Sequence, residues 1–383
     1  MISQLLLDIP FSIMATGALV GIAASLLGTF LVLMRSSMLT DAISHSIVFG
    51  IVIVWMLTGQ ASGPVQIIGA ALTGVLTVLL IEMLARTRRV KNDAAIGLVF
   101  PALFSIGVLL LNLFARDVHI DTHTVLLGEI GFVWLDTIQI GGTEAPLALV
   151  SMSVITAVNL LFVTLLYKEL KLMAFDEGLA RALGFMPALL FYLLLTLTSA
   201  TAVAAFDAVG AVLFVAFVIV PPSAAYLVTD RLWRMILYGS VIAVVASVAG
   251  YYLAVLWNVS IGGMMALCTG AFLLLALLFG PRYGLIAQES RRRRQHAGID
   301  RRALVVHLFN HEGRAGEEEE NRVAALTEHL HWRATKVERI VHEAEDAGLI
   351  RVEAEKLNLT ERGRGLAREV LEPWHREEGG LPA

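Results

Sequence analysis

The sequence of 383 residues has little charge and almost no cysteine. Only 16% of its residues are charged and 57% are apolar, whereas a typical soluble domain carries about 25% charged residues. This composition excludes an ordinary soluble protein and indicates an integral membrane protein. The single cysteine, Cys268, excludes an intramolecular disulfide and a metal site built from several thiolates.

The few charged residues are unevenly distributed along the chain. Residues 1 to 285 hold 12 Lys and Arg and 14 Asp and Glu, while residues 286 to 383 hold 17 and 19. This division predicts a transmembrane domain over 1–285, a basic juxtamembrane linker over 286–300, a soluble domain over 301–372 and a flexible tail over 373–383. The linker contains the run RRRR, which is typical of segments that contact anionic lipid headgroups.

Apolar runs of about 20 residues predict helices that cross a bilayer, since only a helix satisfies its own backbone groups in lipid. Nine such runs are present, with an uncertainty of one: 11–34, 41–58, 65–85, 94–114, 146–167, 187–205, 208–228, 236–257 and 261–280. Basic residues favour cytoplasmic loops, and 11 of the 12 in this part of the chain fall on one side. With nine spans, the N-terminus is outside and the C-terminal domain is cytoplasmic.

Two polar residues interrupt the second apolar run, in LTDAISHSIVFG (Leu39 to Gly50). Asp41 and His45 are four residues apart, so a helix places both on one face with Cβ atoms about 6 Å apart. A carboxylate oxygen and an imidazole nitrogen together suit Mn²⁺, Fe²⁺ or Zn²⁺. The structural alternative is that Thr40 or Asp41 caps the helix and His45 is hydrogen-bonded in the bundle core.

Further candidate ligands lie in other parts of the membrane domain. Asp207, in AAFDAVGAVLF, either ends one helix and caps the next, or faces a translocation path opposite the first pair. An outer loop contains HIDTH, and an extended chain brings His119, Asp121 and His123 to one side. These three residues are either a receiving site for a cation or part of a solvated loop.

Several separated motifs resemble, in order and spacing, the permease subunits of the zinc, manganese and iron ABC importers. They are FLVLMRSSMLTDAISHSIVFGI (Phe30 to Ile51), KNDAAIGLVF (Lys91 to Phe100), FDEGLARALGF (Phe175 to Phe185) and DAVGAVLFVAFVIVPPSAAYLVTDRL (Asp207 to Leu232). The resemblance covers residues 10 to 285. Within the family, HIDTHTVLLGE (His119 to Glu129) is more similar to the manganese and iron branch than to the zinc branch.

The resemblance implies an all-α polytopic protein of the plasma (inner) membrane, with eight or nine transmembrane helices, that works as a homodimer. ATP is then hydrolysed by a partner ATPase, because this chain has no G-x-x-x-x-G-K-[ST] loop, and the chain itself is not an enzyme. The family also implies an extracytoplasmic metal-binding protein and no permanently bound cofactor. It further implies that a short cytoplasmic helix docks on the ATPase, here through Phe175, Asp176, Glu177, Ala180 and Gly184.

The soluble domain reads as helix, acidic loop, helix, turn, helix and hairpin, and resembles a small α+β winged helix-turn-helix domain of metal-dependent repressors. Strands Leu349–Val352 and Lys356–Leu359 would form the wing. Nucleic-acid binding is disfavoured by an excess of two acidic residues after position 285, although Arg333, Lys336 and Arg339 lie on the would-be recognition helix. A regulatory or ATPase-contacting role is favoured, with metal sensing through some of five histidines: His307, His311, His329, His331 and His342.

Together these features predict a permease subunit of an ATP-driven importer of divalent transition metal ions, most consistent with Mn²⁺ and otherwise with Fe²⁺ or Zn²⁺. One alternative is an ATP-independent metal transporter or channel. A second is a membrane-tethered metal-responsive transcription regulator, in which the C-terminal domain reads DNA. The coupling-helix match argues against the first, and the acidic C-terminal domain argues against the second.

Overall fold

The long apolar runs form helices in the computed structural model, because a helix satisfies each backbone N–H and C=O group within its own segment. The structure describes residues 8–59, 64–114, 130–140, 143–281, 283–314, 317–353 and 356–375. The chain divides into two units, Met1–Leu285 and Ile286–Ala383, which we call the membrane unit and the C-terminal unit.

The described part of the membrane unit consists of helices and one short hairpin. The helices are α1 (Ile9–Leu33), α2 (Ser37–Thr58), α3 (Pro64–Arg86), α4 (Asn92–Phe114), α5 (Leu147–Leu165), α6 (Tyr167–Phe175), α7 (Glu177–Ala182), α8 (Pro187–Val228), α9 (Leu232–Trp257) and α10 (Ile261–Phe279). A 3-10 turn (Ile130–Phe132) and an antiparallel hairpin of β1 (Thr137–Ile140) and β2 (Thr143–Pro146) precede α5.

Eight segments of the described chain are long and apolar enough to cross a membrane: α1, α2, α4, α5, the two halves of α8, α9 and α10. The region predicted as one further span, 65–85, forms α3, a helix of 23 residues whose side chains are described in part. The predicted all-α polytopic fold with eight or nine transmembrane helices is therefore confirmed.

Helix α8 bends sharply near its middle. Gly210 has φ 77° and ψ 166°, outside the helical region, and glycine adopts such angles without a Cβ clash. The rings of Phe206 and Phe214 lie 5.9 Å apart, although eight residues of straight helix advance about 12 Å. Helix α8 thus contains two apolar spans, Pro187–Phe206 and Ala208–Val228, which correspond to the spans predicted separately at 187–205 and 208–228.

The first half of α8 runs parallel to α2, because both run antiparallel to α3. Between α2 and α3, Ser46 contacts Thr77 and Gly50 lies against Thr73, so one residue number rises as the other falls. Between α3 and α8, Gly74 lies against Ser199 and the Tyr192 hydroxyl donates to Glu82. This common direction allows positions on α2 and α8 to be compared along one axis.

Glycines allow the helices of this bundle to approach closely, as is common where lipid supplies no hydrophobic driving force. Gly28 of α1 lies directly against the backbone carbonyl of Val218 in α8, where a Cβ would collide. Gly107 of α4 lies against the backbone of Phe49 in α2. Backbone contact at these points replaces side-chain interdigitation and holds α1 to α8 and α2 to α4.

The described part of the C-terminal unit contains five helices, the first of which begins at the boundary residue Leu285, and a hairpin. They are α11 (Leu285–His311), α12 (Glu317–Glu320), α13 (Val323–His329), α14 (Ala334–Asp346), β3 (Ile350–Glu353), β4 (Lys356–Leu359) and α15 (Glu361–His375). Its core includes Leu304, Leu308, Ile340 and Leu357, all at most 1% exposed. The strands pair antiparallel, with Ile350 opposite Leu359.

This element order agrees with the predicted helix, turn, helix and hairpin. The predicted acidic loop is wrong at its centre, because Glu317–Glu320 form the short helix α12. Assignment of the unit to the winged-helix class stays a prediction. The segment 286–300, predicted as a linker, forms the first part of α11, since arginine and glutamine favour helix. The segment predicted as a flexible tail begins within α15, and residues 376–383 lie outside the described chain.

Candidate metal-binding and coupling sites

Asp41 and His45 form a pair on one face of α2. His45 Nε2 lies 3.5 Å from Asp41 Oδ1, and the two side chains are 36% and 45% exposed. Asp41 is the fifth residue of α2, whose N-cap is Ser36, so neither Thr40 nor Asp41 caps the helix. The capping alternative considered for these residues is therefore wrong, because the helix begins one turn earlier than expected.

Two aromatic rings of α4 flank the imidazole of His45. Phe100 stacks on it with a centroid distance of 5.6 Å, and Phe104 meets it edge-on at 6.3 Å. These rings limit the rotamers of the imidazole and shield one side of it from water. Neither ring was predicted from the sequence to be near His45, although the i, i+4 spacing of Phe100 and Phe104 on an apolar helix indicates that they share a face.

Hydrogen bonds and small residues determine how α2 packs on α3. The Thr77 hydroxyl donates to Ser46 Oγ at 2.7 Å, and Gly50 lies against Thr73 at the next turn. Ser46 follows His45 in the chain and is fully buried, so it faces α3 while the imidazole contacts the rings of α4. Helix α2 is thus packed between α3 and α4, and His45 is on its α4 side.

The pair supplies one oxygen and one nitrogen ligand, and both side chains are partly exposed. Such a set binds a divalent transition metal ion and leaves several coordination positions open for water or other ligands. An ion held by few protein ligands dissociates readily, which a transport path requires.

Asp207 lies farther along the bundle than His45. Its backbone belongs to α8, just before the bend, and its side chain is outside the described part of the structure. Gly74 lies against both Ile43 and Ser199, so these two residues share a level. His45 is two residues beyond Ile43 and Asp207 is eight beyond Ser199, which separates their backbones by about 9 Å along parallel helices.

The outer-loop residues His119, Asp121 and His123 lie outside the described residues, as does Glu129. Their proposed role in receiving a cation stays a prediction.

The segment predicted to contact an ATPase, Phe175 to Phe185, comprises the last residue of α6, the short helix α7 and the turn that follows. Asp176 is the N-cap of α7 and accepts a hydrogen bond from the Leu179 N–H at 2.9 Å. Gly184 ends the segment with φ 85°, and the Phe185 N–H donates to the Ala180 carbonyl at 3.1 Å. The short helix predicted in this segment is therefore present. Gly184, in the αL conformation, closes its last turn.

This segment exposes apolar side chains and buries one predicted contact residue. Phe175, Leu179 and Leu183 are 62%, 47% and 61% exposed, although they lie outside the eight membrane-spanning helices. Ala180 is 0% exposed, so it packs inside this chain and does not present its side chain to a partner. Glu177 is exposed and pairs with Arg181. An exposed apolar face on a short helix is typical of a surface that another protein covers.

The basic residues of α14 are only partly free to contact another molecule. Lys336 Nζ lies 2.8 Å from Asp300 Oδ1 and 4.9 Å from the centroid of the Trp332 ring. Arg333 and Arg339 are exposed.

Of the five histidines considered in this unit, three come together. The rings of His307 and His311 lie 4.7 Å apart, and those of His307 and His329 lie 6.0 Å apart. Burial lowers the pKa of His307, and the neighbouring His311 and His329 lower this pKa further, partly opposed by the carbonyl of Glu320. His331 and His342 are both exposed.

The fold defines a multi-pass membrane protein with a partly exposed Asp and His pair on α2 and an exposed apolar segment between two spans, Phe175 to Phe185, which we call the docking segment after its predicted role. The chain belongs to the ABC 3 transport family, which residues 8–280 match. It is therefore a membrane-spanning subunit of an ABC transport system.

Individual relatives agree with this assignment. The chain is 41% identical to the zinc transport system membrane protein TroD of Treponema pallidum over 353 residues, 92% of this chain and 96% of TroD. It is 44% identical to the manganese transport system membrane protein MntD of Bacillus subtilis over 280 residues, 73% of this chain and 95% of MntD. PsaBC from Streptococcus pneumoniae has a similar structure, with a TM-score of 0.60, 29% identity and coverage of 71% and 91%.

The two sequence relatives differ in how much of this chain they match. The alignment with TroD is longer than the membrane unit and extends well into the C-terminal unit. MntD is almost fully covered by a match of 280 residues. The C-terminal unit is thus shared with one relative, while the other matches a length close to that of the membrane unit alone.

Proposed function

We propose that this chain is the permease subunit through which an ATP-driven importer moves divalent transition metal ions, Mn²⁺ in the first place and otherwise Fe²⁺ or Zn²⁺. The observation that carries the proposal is the Asp41 and His45 pair on α2, with donor atoms 3.5 Å apart. The names of TroD and MntD, which concern zinc and manganese, support this class of ion.

In the proposed mechanism the pair on α2 is a transient binding position. The ion gains one carboxylate and one imidazole ligand and keeps part of its water shell, so it is released again as the bundle changes shape. Phe100 and Phe104 hold the imidazole in place. Asp207, whose backbone lies about 9 Å farther along the bundle, is a second position on the proposed path.

Energy for transport comes from a partner ATPase that docks on the segment from Phe175 to Phe185. Its exposed apolar side chains match what a protein interface buries at its centre. Movement of this segment when the ATPase dimer closes would shift the bundle between outward and inward access. The proposed assembly contains two copies of the permease, each with its C-terminal unit in the cytoplasm, and an extracytoplasmic metal-binding protein.

Uptake of radiolabelled Mn²⁺, Fe²⁺ and Zn²⁺ by cells that carry the full importer tests this proposal. We expect His45→Ala to reduce uptake of the transported ion by more than about tenfold, because one of two ligands is lost. His342→Ala is the matched control, since His342 also lies one helical turn from an aspartate, with its Nε2 3.5 Å from an Asp346 oxygen. Unchanged uptake of all three ions by the His45→Ala variant would overturn the proposed path.

Reconstitution into liposomes separates this function from ATP-independent transport. Liposomes with the permease alone are expected to take up no metal, whereas liposomes with permease, ATPase, ATP and the extracytoplasmic metal-binding protein take it up. Uptake by the permease alone, at a rate that ATP does not change, would favour a channel or secondary transporter.

A further inference from the structure

A cluster of three histidines and one glutamate lies in the C-terminal unit. His307 and His311 are one turn apart on α11, and one ligand atom from each lies within 4.8 Å of the others and of a Glu320 carboxylate oxygen. His329 Nδ1 lies 2.7 Å from Glu320 Oε2. All four side chains converge from three separate segments, since α12 and α13 supply Glu320 and His329.

The packing of α11 directs its two histidines toward this cluster. Leu304 and Leu308 are fully buried in the core of the unit, and they lie on the helix at spacings that leave His307 and His311 at the edge of the same packed surface. The rings of the two histidines lie 4.7 Å apart, so both face the same side of the helix.

The acidic run of the sequence, Glu317 to Glu320, is held by the structure and is not a free loop. Glu317 accepts a hydrogen bond from the Gly313 N–H at 2.8 Å and lies 3.2 Å from Lys356 Nζ. The Leu357 N–H donates to the Asn321 carbonyl at 2.8 Å. The hairpin thus anchors both sides of Glu320, and the Glu320 carboxylate oxygen beside His329 is fully buried.

We propose that the C-terminal unit binds a divalent transition metal ion of the Zn²⁺ class through His307, His311 and Glu320. Two imidazole nitrogens and one carboxylate oxygen are a ligand set that zinc takes readily, with water or a fourth ligand completing the shell. His329 lies beside this carboxylate, with its Nδ1 2.7 Å from Glu320 Oε2, where the outer-shell neighbours of metal ligands lie. This site is distinct from the pair on α2 and does not depend on the proposed transport function.

The separation of the donor atoms fits a site that closes around its ion. Tetrahedral zinc with bonds of about 2.0 to 2.1 Å places its ligand atoms about 3.4 Å apart. The present distances of up to 4.8 Å need small rotations of partly exposed side chains. An ion bound there links α11 to α12 and adds to the contacts that already hold α12, the hydrogen bond from the Gly313 N–H and the ion pair with Lys356, both made by Glu317.

The test measures Zn²⁺ binding by the full-length chain in detergent or nanodiscs. The background variant carries Asp41→Ala and His45→Ala, so that the pair on α2 does not contribute. In that background we expect one tightly bound Zn²⁺ per chain by metal analysis after gel filtration, and its loss when His307→Ala and His311→Ala are added. His342→Ala, which removes an exposed histidine of the same unit, is expected to leave binding unchanged.

Hydrogen exchange locates the ion and controls for misfolding. In the background variant, Zn²⁺ at about ten times its Kd is expected to slow amide exchange in residues 303–330 by about tenfold, because the ion binds only the folded segment. Glu320→Gln preserves the shape of the side chain and should weaken binding while metal-free exchange stays unchanged. Equal binding and protection in the His307→Ala, His311→Ala and Glu320→Gln variants would overturn the site.

Discussion

Two Asp and His pairs of this protein have the same spacing and the same separation but different surroundings. In both Asp41 with His45 and His342 with Asp346, the side chains are four residues apart and His Nε2 lies 3.5 Å from a carboxylate oxygen. The pair on α2 is flanked by two phenyl rings, whereas the pair on α14 is 76% and 69% exposed. Helical spacing alone therefore sets the distance, and only the neighbouring helices distinguish a candidate ion position from a solvated surface pair.

The two units also differ in how many of their large apolar side chains are exposed. Within the described chain, the large apolar side chains that are strongly exposed beyond Leu285 are Ile286 and Ile299. The membrane unit exposes many such side chains, including Leu109, Leu161 and Val241, because lipid solvates them as well as a protein core does. Exposed apolar surface is therefore ordinary on most of the membrane unit and informative on its docking segment.

Removing one charge from each Asp and His pair gives the largest expected contrast. Asp41→Asn keeps the shape of the side chain but removes the anionic ligand, and we expect metal uptake to fall by more than about tenfold. Asp346→Asn is expected to leave uptake unchanged, because that pair is exposed to water. Uptake rates in cells of equal permease content measure both. A similar loss in both variants would contradict the distinction between the pairs.

The next prediction compares the effect of a glutamate at two exposed apolar positions outside the spans, one on the docking segment and one on the C-terminal unit. Leu183→Glu is expected to weaken the complex with the ATPase by about tenfold, since the carboxylate is desolvated without a partner in an apolar interface. Ile299→Glu places the same charge at an equally exposed position of the C-terminal unit, 61% in both cases. Co-purification and titration of the detergent-solubilised permease with its ATPase give the affinities. Normal binding of the ATPase by the Leu183→Glu permease would contradict the proposal that this segment lies in the interface.

Adding one methyl group tests the close contact between α1 and α8. In Gly28→Ala the new Cβ collides with the Val218 carbonyl, so we expect a loss of about 1–3 kcal/mol in the free energy of unfolding. Gly270→Ala is the control, because no atom lies within 4 Å of the corresponding Cβ. Thermal unfolding in detergent compares the two. Equal stability of both variants would show that α1 and α8 move apart without cost.

Deletion of residues 286–383 is expected to have the smallest effect on uptake. MntD is almost fully covered by a match of 280 residues, so the membrane unit should transport without the C-terminal unit. Uptake by the truncated permease, corrected for its amount in the membrane, measures this. Loss of uptake at normal expression would assign the C-terminal unit an essential part in transport.

Much of the fold followed from hydrophobic run length, because a bilayer requires about 20 apolar residues per helix. Even the two spans of α8 were predicted separately, although the structure joins them at a bent Gly210. The start of α2 was placed too late, since the polar turn at Ser37 to Asp41 interrupts the apolar pattern that marks a span. The buried position of Ala180 was also missed, because periodicity on a six-residue helix does not identify its packed face.

The sequence by itself determined the class of protein, the division at residue 285, the short helix within Phe175 to Phe185 and the proximity of Asp41 and His45. These features depend on composition and on spacing within one helix, which are local properties. Only the tertiary structure brought Phe100 to His45 and Glu320 to His329, and it set Asp207 at a different level. Contacts between segments depend on how helices pack, and no repeat or spacing in one segment specifies its partner in another.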